Sequence, residues 1–198
     1  MQKNVYIISF PPEVDVESLL LRSRGIFPKS IKENHEKYSW FSKRITAEME
    51  LLRLMDDYEF DLLVLAGFMR NLTAYFIDQV NIKPNNPRIM NIHPALLPAF
   101  PGTNGYGDTF RYGCKVGGCT VHFVDYGEDT GPIIGQRVFP IFPYDTLEKI
   151  KERGLELEWE LYPECIKLFA EGLLRVVERD GRKIVEIAEV HNHPKTTI

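Results

Sequence analysis

The sequence predicts an α/β fold: an open, mostly parallel sheet flanked by helices, followed by a long helix and a C-terminal β-hairpin. Three observations predict it. Asp61-Leu-Leu-Val-Leu-Ala66 is apolar on both faces, as a strand in the middle of a parallel sheet must be. Strand patterns and helix patterns alternate from the N-terminus to about residue 92, the order that builds parallel sheets. Near the C-terminus, Asp180-Gly181 separates two short runs rich in β-branched residues, and Asp-Gly favours a tight primed turn.

The elements follow in order. Val5 to Ile8 reads as a buried strand, ended by Pro11-Pro12. Asp15 to Arg24 reads as a helix with Asp15 as N-cap and Gly25 as stop, and Ile26 to Ile31 as irregular or a short strand. Ser42 to Tyr58 places Ile45, Met49, Leu52 and Met55 on one helical stripe. After the central strand, Thr73 to Val80 reads as a short helix and Arg88 to Ile92 as a strand running into His93-Pro94. Ala99 to Thr109, rich in Gly and Pro, reads as a loop, with a short helix ending over Phe110 to Gly113. Gly118 to Asp125 and Ile133 to Phe139 read as strands joined by an acidic loop. Thr146 to Glu171 reads as a long helix with Ile150, Leu157, Leu161 and Leu168 on one face, kinked at Pro163. Leu174 to Glu178 and Lys183 to Ile187 form the hairpin.

At 198 residues the chain fits one domain, taken as residues 1–190 with a loose tail over 191–198. Lys plus Arg is 24 and Asp plus Glu 28, and a net charge of −4 points away from general nucleic-acid binding. The longest apolar run, Leu62 to Met69, is eight residues, far short of the ~20 a membrane span needs. The N-terminal apolar run stops by Phe10, too short for a secretory signal, so a cytoplasmic protein is expected. Cys114, Cys119 and Cys165 lack the spacing of a zinc knuckle and read as reduced thiols. His35 reads as solvated, His122 as a hydrogen-bonded core group, and the two-residue spacing of His191 and His193 is weak evidence for a metal, so no metal site is expected.

The chemistry concentrates in three places. Side chains at 91 and 93 share one strand face by the alternation of the pleat, so Asn91 and His93 project together from a strand end that Pro94 breaks. Ligands of open α/β sheets bind at that edge, and an amide beside an imidazole suits a developing oxyanion; a polar strand end satisfied by backbone fits the spacing equally well. Glu128-Asp129-Thr130-Gly131 is an acidic loop, either turn chemistry or a catalytic carboxylate. Gly67, just past the central strand, admits close approach of a ligand or leads a turn into the next helix.

Together and in this order, these elements resemble the folate-dependent formyltransferases. The likeness is carried by Asp61 to Leu72, by Asn91-Ile-His-Pro-Ala-Leu-Leu-Pro98, and by Thr120 to Val124 followed by Asp129 and Gly131 to Ile134, and it covers roughly Asp61 to Leu168. The resemblance implies an open Rossmann-like sheet, 10-formyltetrahydrofolate as one-carbon donor and a primary amine as acceptor, most like the ribonucleotide amine of purine synthesis. It assigns Asn91, His93 and Asp129 to catalysis. It assigns Met69, Arg70, Leu72 and the loop Val124, Asp125, Tyr126, Gly127 and Glu128 to the folate, and Gly67, Ile92, Pro94 and Glu158 to the acceptor. In the mechanism it implies, Asn91 and a protonated His93 stabilise the oxyanion, with Asp129 keeping the imidazole cationic. An amino sugar as acceptor, hydrolysis of the formylfolate, and folate binding without turnover are the competing readings; the intact trio weighs against the last.

The sequence departs from the family at its start. Relatives open with a strand and a Gly-rich loop holding the acceptor's phosphate on backbone N–H groups. Here Val5 to Ser9 and Glu17 to Ile26 resemble the family's second strand and second helix, or Val5 to Ile8 is its first strand with the following unit lost; either way Phe10-Pro11-Pro12 offers no such loop. Asn104 also stands where relatives often carry His. Arg111, Lys115 and Arg137 are cations available to a phosphate, and a sheet edge left by a missing strand favours a homodimer near Val5 to Ile8. Without the loop, an amino ribonucleotide and its dephosphorylated riboside are expected to serve equally poorly in steady-state kinetics; a large preference for the ribonucleotide would reveal a phosphate site elsewhere.

Overall fold

The computed structural model describes residues 5–8, 39–82 and 85–188. These fall into two compact units, one within residues 4–90 and one within residues 91–198. The helix expected over Asp15 to Arg24, the segment Ile26 to Ile31, His35 and the tail with His191 and His193 lie outside the described residues.

In the first unit, β1 (Val5–Ile8) pairs in parallel with β2 (Leu62–Leu65), Val5 opposite Leu62 and Ile8 opposite Leu65. All four β2 residues are buried, as the two-sided apolar run requires. β3 (Ile89–His93) begins here, Leu63 N–H donating to the Arg88 carbonyl at 2.7 Å beside its first residue. Between the strands run α1 (Ser39–Met55) and α2 (Ala74–Val80), the latter burying Phe76, Ile77 and Val80.

The buried face of α1 departs from the apolar stripe. Met55 is buried, but so are Thr46 and Glu48, while Ile45, Met49 and Leu52 are half-buried. The reason is a long-range cap. One Glu48 oxygen accepts the Thr73 N–H at 2.9 Å, and the other accepts the Thr73 hydroxyl. Thr73 in turn is the N-cap of α2, its Oγ1 accepting the Phe76 N–H at 3.3 Å. Burial pushes the Glu48 carboxyl above its usual range despite these donors.

The second unit continues from Asn91 in β3. There the strand order is β3-β4-β5, with β4 (Val116–Phe123) and β5 (Ile133–Pro140) antiparallel and a register shift at Val121/His122. The sheet is thus of the open α/β kind expected, with one antiparallel pair. The helix α4 (Leu147–Ala170) packs on both strands, capped by the Thr146 side chain and continuous through Pro163. Its buried face is Ile150, Gly154, Leu161, Cys165 and Phe169, one helical stripe. The hairpin of β6 (Leu174–Arg179) and β7 (Arg182–Ile187) turns at Asp180 (φ 51°) and Gly181 (φ 73°), the two left-handed positions a type I′ turn needs.

One element begins earlier than its composition indicates. Helix α3 spans Gly105–Tyr112, although Gly105 and Gly107 read as loop. Packing overrides helix propensity here. A β-carbon on Gly105 would stand 2.5 Å from the Pro94 carbonyl oxygen, so only glycine lets the helix start against the end of β3. No helix among the described residues is long and apolar enough to cross a membrane.

The Glu48–Thr73 cap makes a stability prediction. Thr73→Ala deletes the hydroxyl that both caps α2 and satisfies Glu48. A loss of about 1–2 kcal/mol is expected in urea unfolding, with the slope unchanged.

Candidate active site

The site grows from the end of β3. Asn91 and His93 lie on the same face of the strand by its alternation; His93 is 2% exposed and Asn91 half-buried. The strand end is followed by a firmly tied turn. Thr120 on β4 donates from Oγ1 to the Ala95 carbonyl at 2.7 Å and accepts the Leu97 N–H at 3.0 Å. Gln136 on β5 reaches across with Nε2 to the Leu97 carbonyl (3.0 Å) and to Thr120 Oγ1 (2.9 Å). The chain leaving His93 is therefore clamped to the β4–β5 pair.

Asp129 arrives from the β4–β5 loop with φ 54°, left-handed backbone that non-glycine residues rarely adopt. Its Oδ2 stands 3.2 Å from His93 Nδ1 and accepts the Gly102 N–H at 2.8 Å. Its Oδ1 stands 3.5 Å from Nε2 of His122, a buried nitrogen that makes no hydrogen bond among the described residues. His122 is anchored by Nδ1, 2.9 Å from the Phe123 carbonyl. One carboxylate thus sits between two buried imidazoles.

The electrostatics follow. Burial alone would raise the Asp129 carboxyl, but the His122 ring, the Gly102 N–H and the His93 ring together hold it below the usual carboxylate range. For His93 the balance is opposite. Burial lowers the imidazole below its usual value and outweighs Asp129 and the Phe100 carbonyl, both of which favour the cation. The carboxylate is in place to favour the cation, and burial acts against it. Nε2 of His93 lies 2.8 Å from the Phe100 carbonyl oxygen, so the ring is flanked by two acceptors. A neutral imidazole has one N–H for the two; only the protonated ring satisfies both.

The loop assigned to the folate is shaped by its own side chains. Asp125 Oδ1 accepts from the Gly127 N–H (3.1 Å) and the Thr130 hydroxyl (2.6 Å). Val124 and Asp125 are half-buried, Gly127 and Glu128 exposed, and Tyr126 is 70% exposed. In the acceptor set, Ile92 and Pro94 are half-buried beside His93, and Glu158 on α4 accepts the Tyr106 hydroxyl at 2.7 Å. Gly67, Met69, Arg70 and Leu72 belong to the first unit, on the segment after β2. Gly67 has φ 65°, which accounts for the glycine, Met69 and Arg70 are exposed, and Leu72 is half-buried.

Sequence reasoning read His122 as a hydrogen-bonded core group, which it is, without seeing its approach to Asp129, and passed over Phe100 and Gly102. The signal for His122 lay in the hairpin: pairing of β4 with β5 sets His122 opposite Ile133, so the loop carrying Asp129 must turn beside it. The Phe100 and Gly102 contacts are backbone groups, and no side-chain pattern marks them.

Residues 2–166 match the formyl transferase family. The chain is 43% identical to the phosphoribosylglycinamide formyltransferase of Bacillus subtilis over 151 residues, 76% of this chain and 70% of that protein. It is 44% identical to the Mycobacterium tuberculosis protein of the same name over 130 residues, 64% of this chain and 58% of that one. A crystal structure of glycinamide ribonucleotide transformylase 1 from Symbiobacterium toebii superposes with a TM-score of 0.67 at 34% identity, covering 94% of this chain and 80% of the other. The chain belongs to the formyl transferase family.

The charge balance around His93 is open to measurement. Asp129→Asn removes its nearest anion, so the imidazole, already low, is expected to titrate lower still. An NMR titration of the His93 ring carbons reads this directly; movement upward would mean the carboxylate does not favour the cation.

Proposed function

We propose that the chain transfers the formyl group of 10-formyltetrahydrofolate to the primary amine of glycinamide ribonucleotide, against the expectation from the missing loop that this acceptor serves poorly. Family membership and the names of its relatives support the reaction class. The observation that carries the assignment to residues is the approach of Asp129 to His93 at 3.2 Å, beside Asn91 on the same strand face.

The chemistry is acyl transfer. A bond forms between the amine nitrogen and the formyl carbon, the bond from that carbon to the folate nitrogen breaks, and a proton passes from the attacking to the leaving nitrogen. Negative charge gathers on the formyl oxygen in between. The Asn91 carboxamide and the His93 ring are the donors for it, His93 by exchanging the Phe100 carbonyl at Nε2 for the formyl oxygen while Nδ1 stays on Asp129. As anionic charge develops nearby, the His93 cation becomes more favourable, offsetting the burial that lowers it at rest. Asp129 orients the ring and is placed to hold a water that relays the proton. The His122 ring, 3.5 Å from the other carboxylate oxygen, favours the ionised form of Asp129.

The Val124–Glu128 loop fits a flat heterocycle, because its side-chain bonds hold backbone donors and acceptors in one conformation at an exposed edge. Glu158 keeps lone pairs free after accepting from Tyr106, which suits the hydroxyl groups of a ribose.

His93→Ala separates chemistry from binding. Transfer to glycinamide ribonucleotide is expected to fall about 10²–10³ in kcat, while folate affinity measured by calorimetry is retained. A fall of less than threefold would remove His93 from the reaction.

A further inference from the structure

Tyr106 is the second residue of α3, and its surroundings are specific to a phenol. The helix start is pinned by Gly105 against the Pro94 carbonyl, one residue after His93. The ring is 7% exposed and tilted against Phe139, centroids 6.2 Å apart. It lies over Gly154 of α4, where a β-carbon would stand 2.1 Å from Cζ and 2.2 Å from the hydroxyl oxygen. One turn further along α4, Glu158 Oε1 accepts that hydroxyl at 2.7 Å. Gly154 and Glu158, four residues apart, thus form a notch and an acceptor on one helical face.

A brace between two helices would not need this arrangement. A phenylalanine would fill the same notch without a buried polar group to satisfy. A structural carboxylate is held more firmly by a cation, yet no ion pair to Glu158 exists among the described residues. What a neutral hydroxyl does instead is fix one oxygen and leave the charge and the remaining lone pairs unspent. Burial pushes the Glu158 carboxyl up, and the Tyr106 hydroxyl acts against that shift.

We propose that Tyr106 is a positioning residue for the acceptor: its hydroxyl aims the Glu158 carboxylate at the acceptor's hydroxyl groups. The inference rests on the formyl-transfer reading above and adds to it a residue that governs acceptor affinity without touching the reacting atoms.

The test is steady-state kinetics of the full chain with glycinamide ribonucleotide and 10-formyltetrahydrofolate. Tyr106→Phe keeps the ring in its notch and removes only the hydroxyl. The acceptor KM is expected to rise about tenfold, as for loss of a hydrogen bond to a charged group, with kcat within about threefold and the folate KM unmoved. In a Glu158→Gln background the same substitution is expected to add nothing, because the carboxylate it positions is gone. Gly154→Ala displaces the tyrosine while leaving its hydroxyl, and is expected to raise the acceptor KM selectively as well; it stands in if Tyr106→Phe does not fold. The inference is overturned if both KM values move together, if neither moves, or if the effects of Tyr106→Phe and Glu158→Gln simply add. A wild-type chain with no transfer activity overturns the functional reading itself, and this inference with it.

Discussion

The second unit is organised around one carboxylate. Asp129 contacts His93 at the end of β3, His122 on β4 and the Gly102 N–H in the segment entering α3, so three parts of the chain converge on a single residue. It does so from a left-handed backbone conformation, which costs roughly 1–2 kcal/mol for a residue with a β-carbon and is tolerated best by Asp and Asn. Those contacts must outweigh that cost, and they depend on the residue being ionised. The negative charge between the two imidazoles therefore also holds its loop in place.

Around this centre the scaffold is rigid for reasons unrelated to charge. Thr120 and Gln136 bind the chain beyond β3 through four hydrogen bonds to neighbouring groups and to each other, so the His93 backbone is set by β4 and β5. In the proposed reaction this rigidity matters, because an oxyanion donor displaced by an ångström loses much of its effect. The clamp sits on strands, where positions are better defined than on loops.

Legibility in the sequence followed how local each feature is. Val5–Ile8, Leu62–Leu65 and the Asp180-Gly181 turn were readable because neighbouring residues determine them. Asn91 and His93 were paired by strand alternation alone. Asp129 needed the family resemblance, because no spacing rule brings a loop residue to an imidazole 36 positions earlier. His122 looked like core because a buried imidazole and a functional one share the same strand pattern. The role of Glu48 had no local signal, because its partner, Thr73, lies 25 residues away. Gly105 and Gly107 looked like loop because helix propensity is a local quantity, and the reason they are helical is contact with Pro94 and Asn104.

The glycine contacts carry a consequence for how variation in this chain will read. At Gly105 a methyl group would strike the Pro94 carbonyl, at Gly118 the Arg137 carbonyl, and at Gly154 the Tyr106 ring. None of the three bears a functional group, yet Pro94 directly follows His93, Tyr106 holds Glu158, and Gly118 lets β4 close on the Arg137 carbonyl of β5. In a saturation-mutagenesis map these positions would be as intolerant as the trio itself. Ranking residues by tolerance would then merge two classes, those proposed to take part in the reaction and those whose only contribution is to occupy no space.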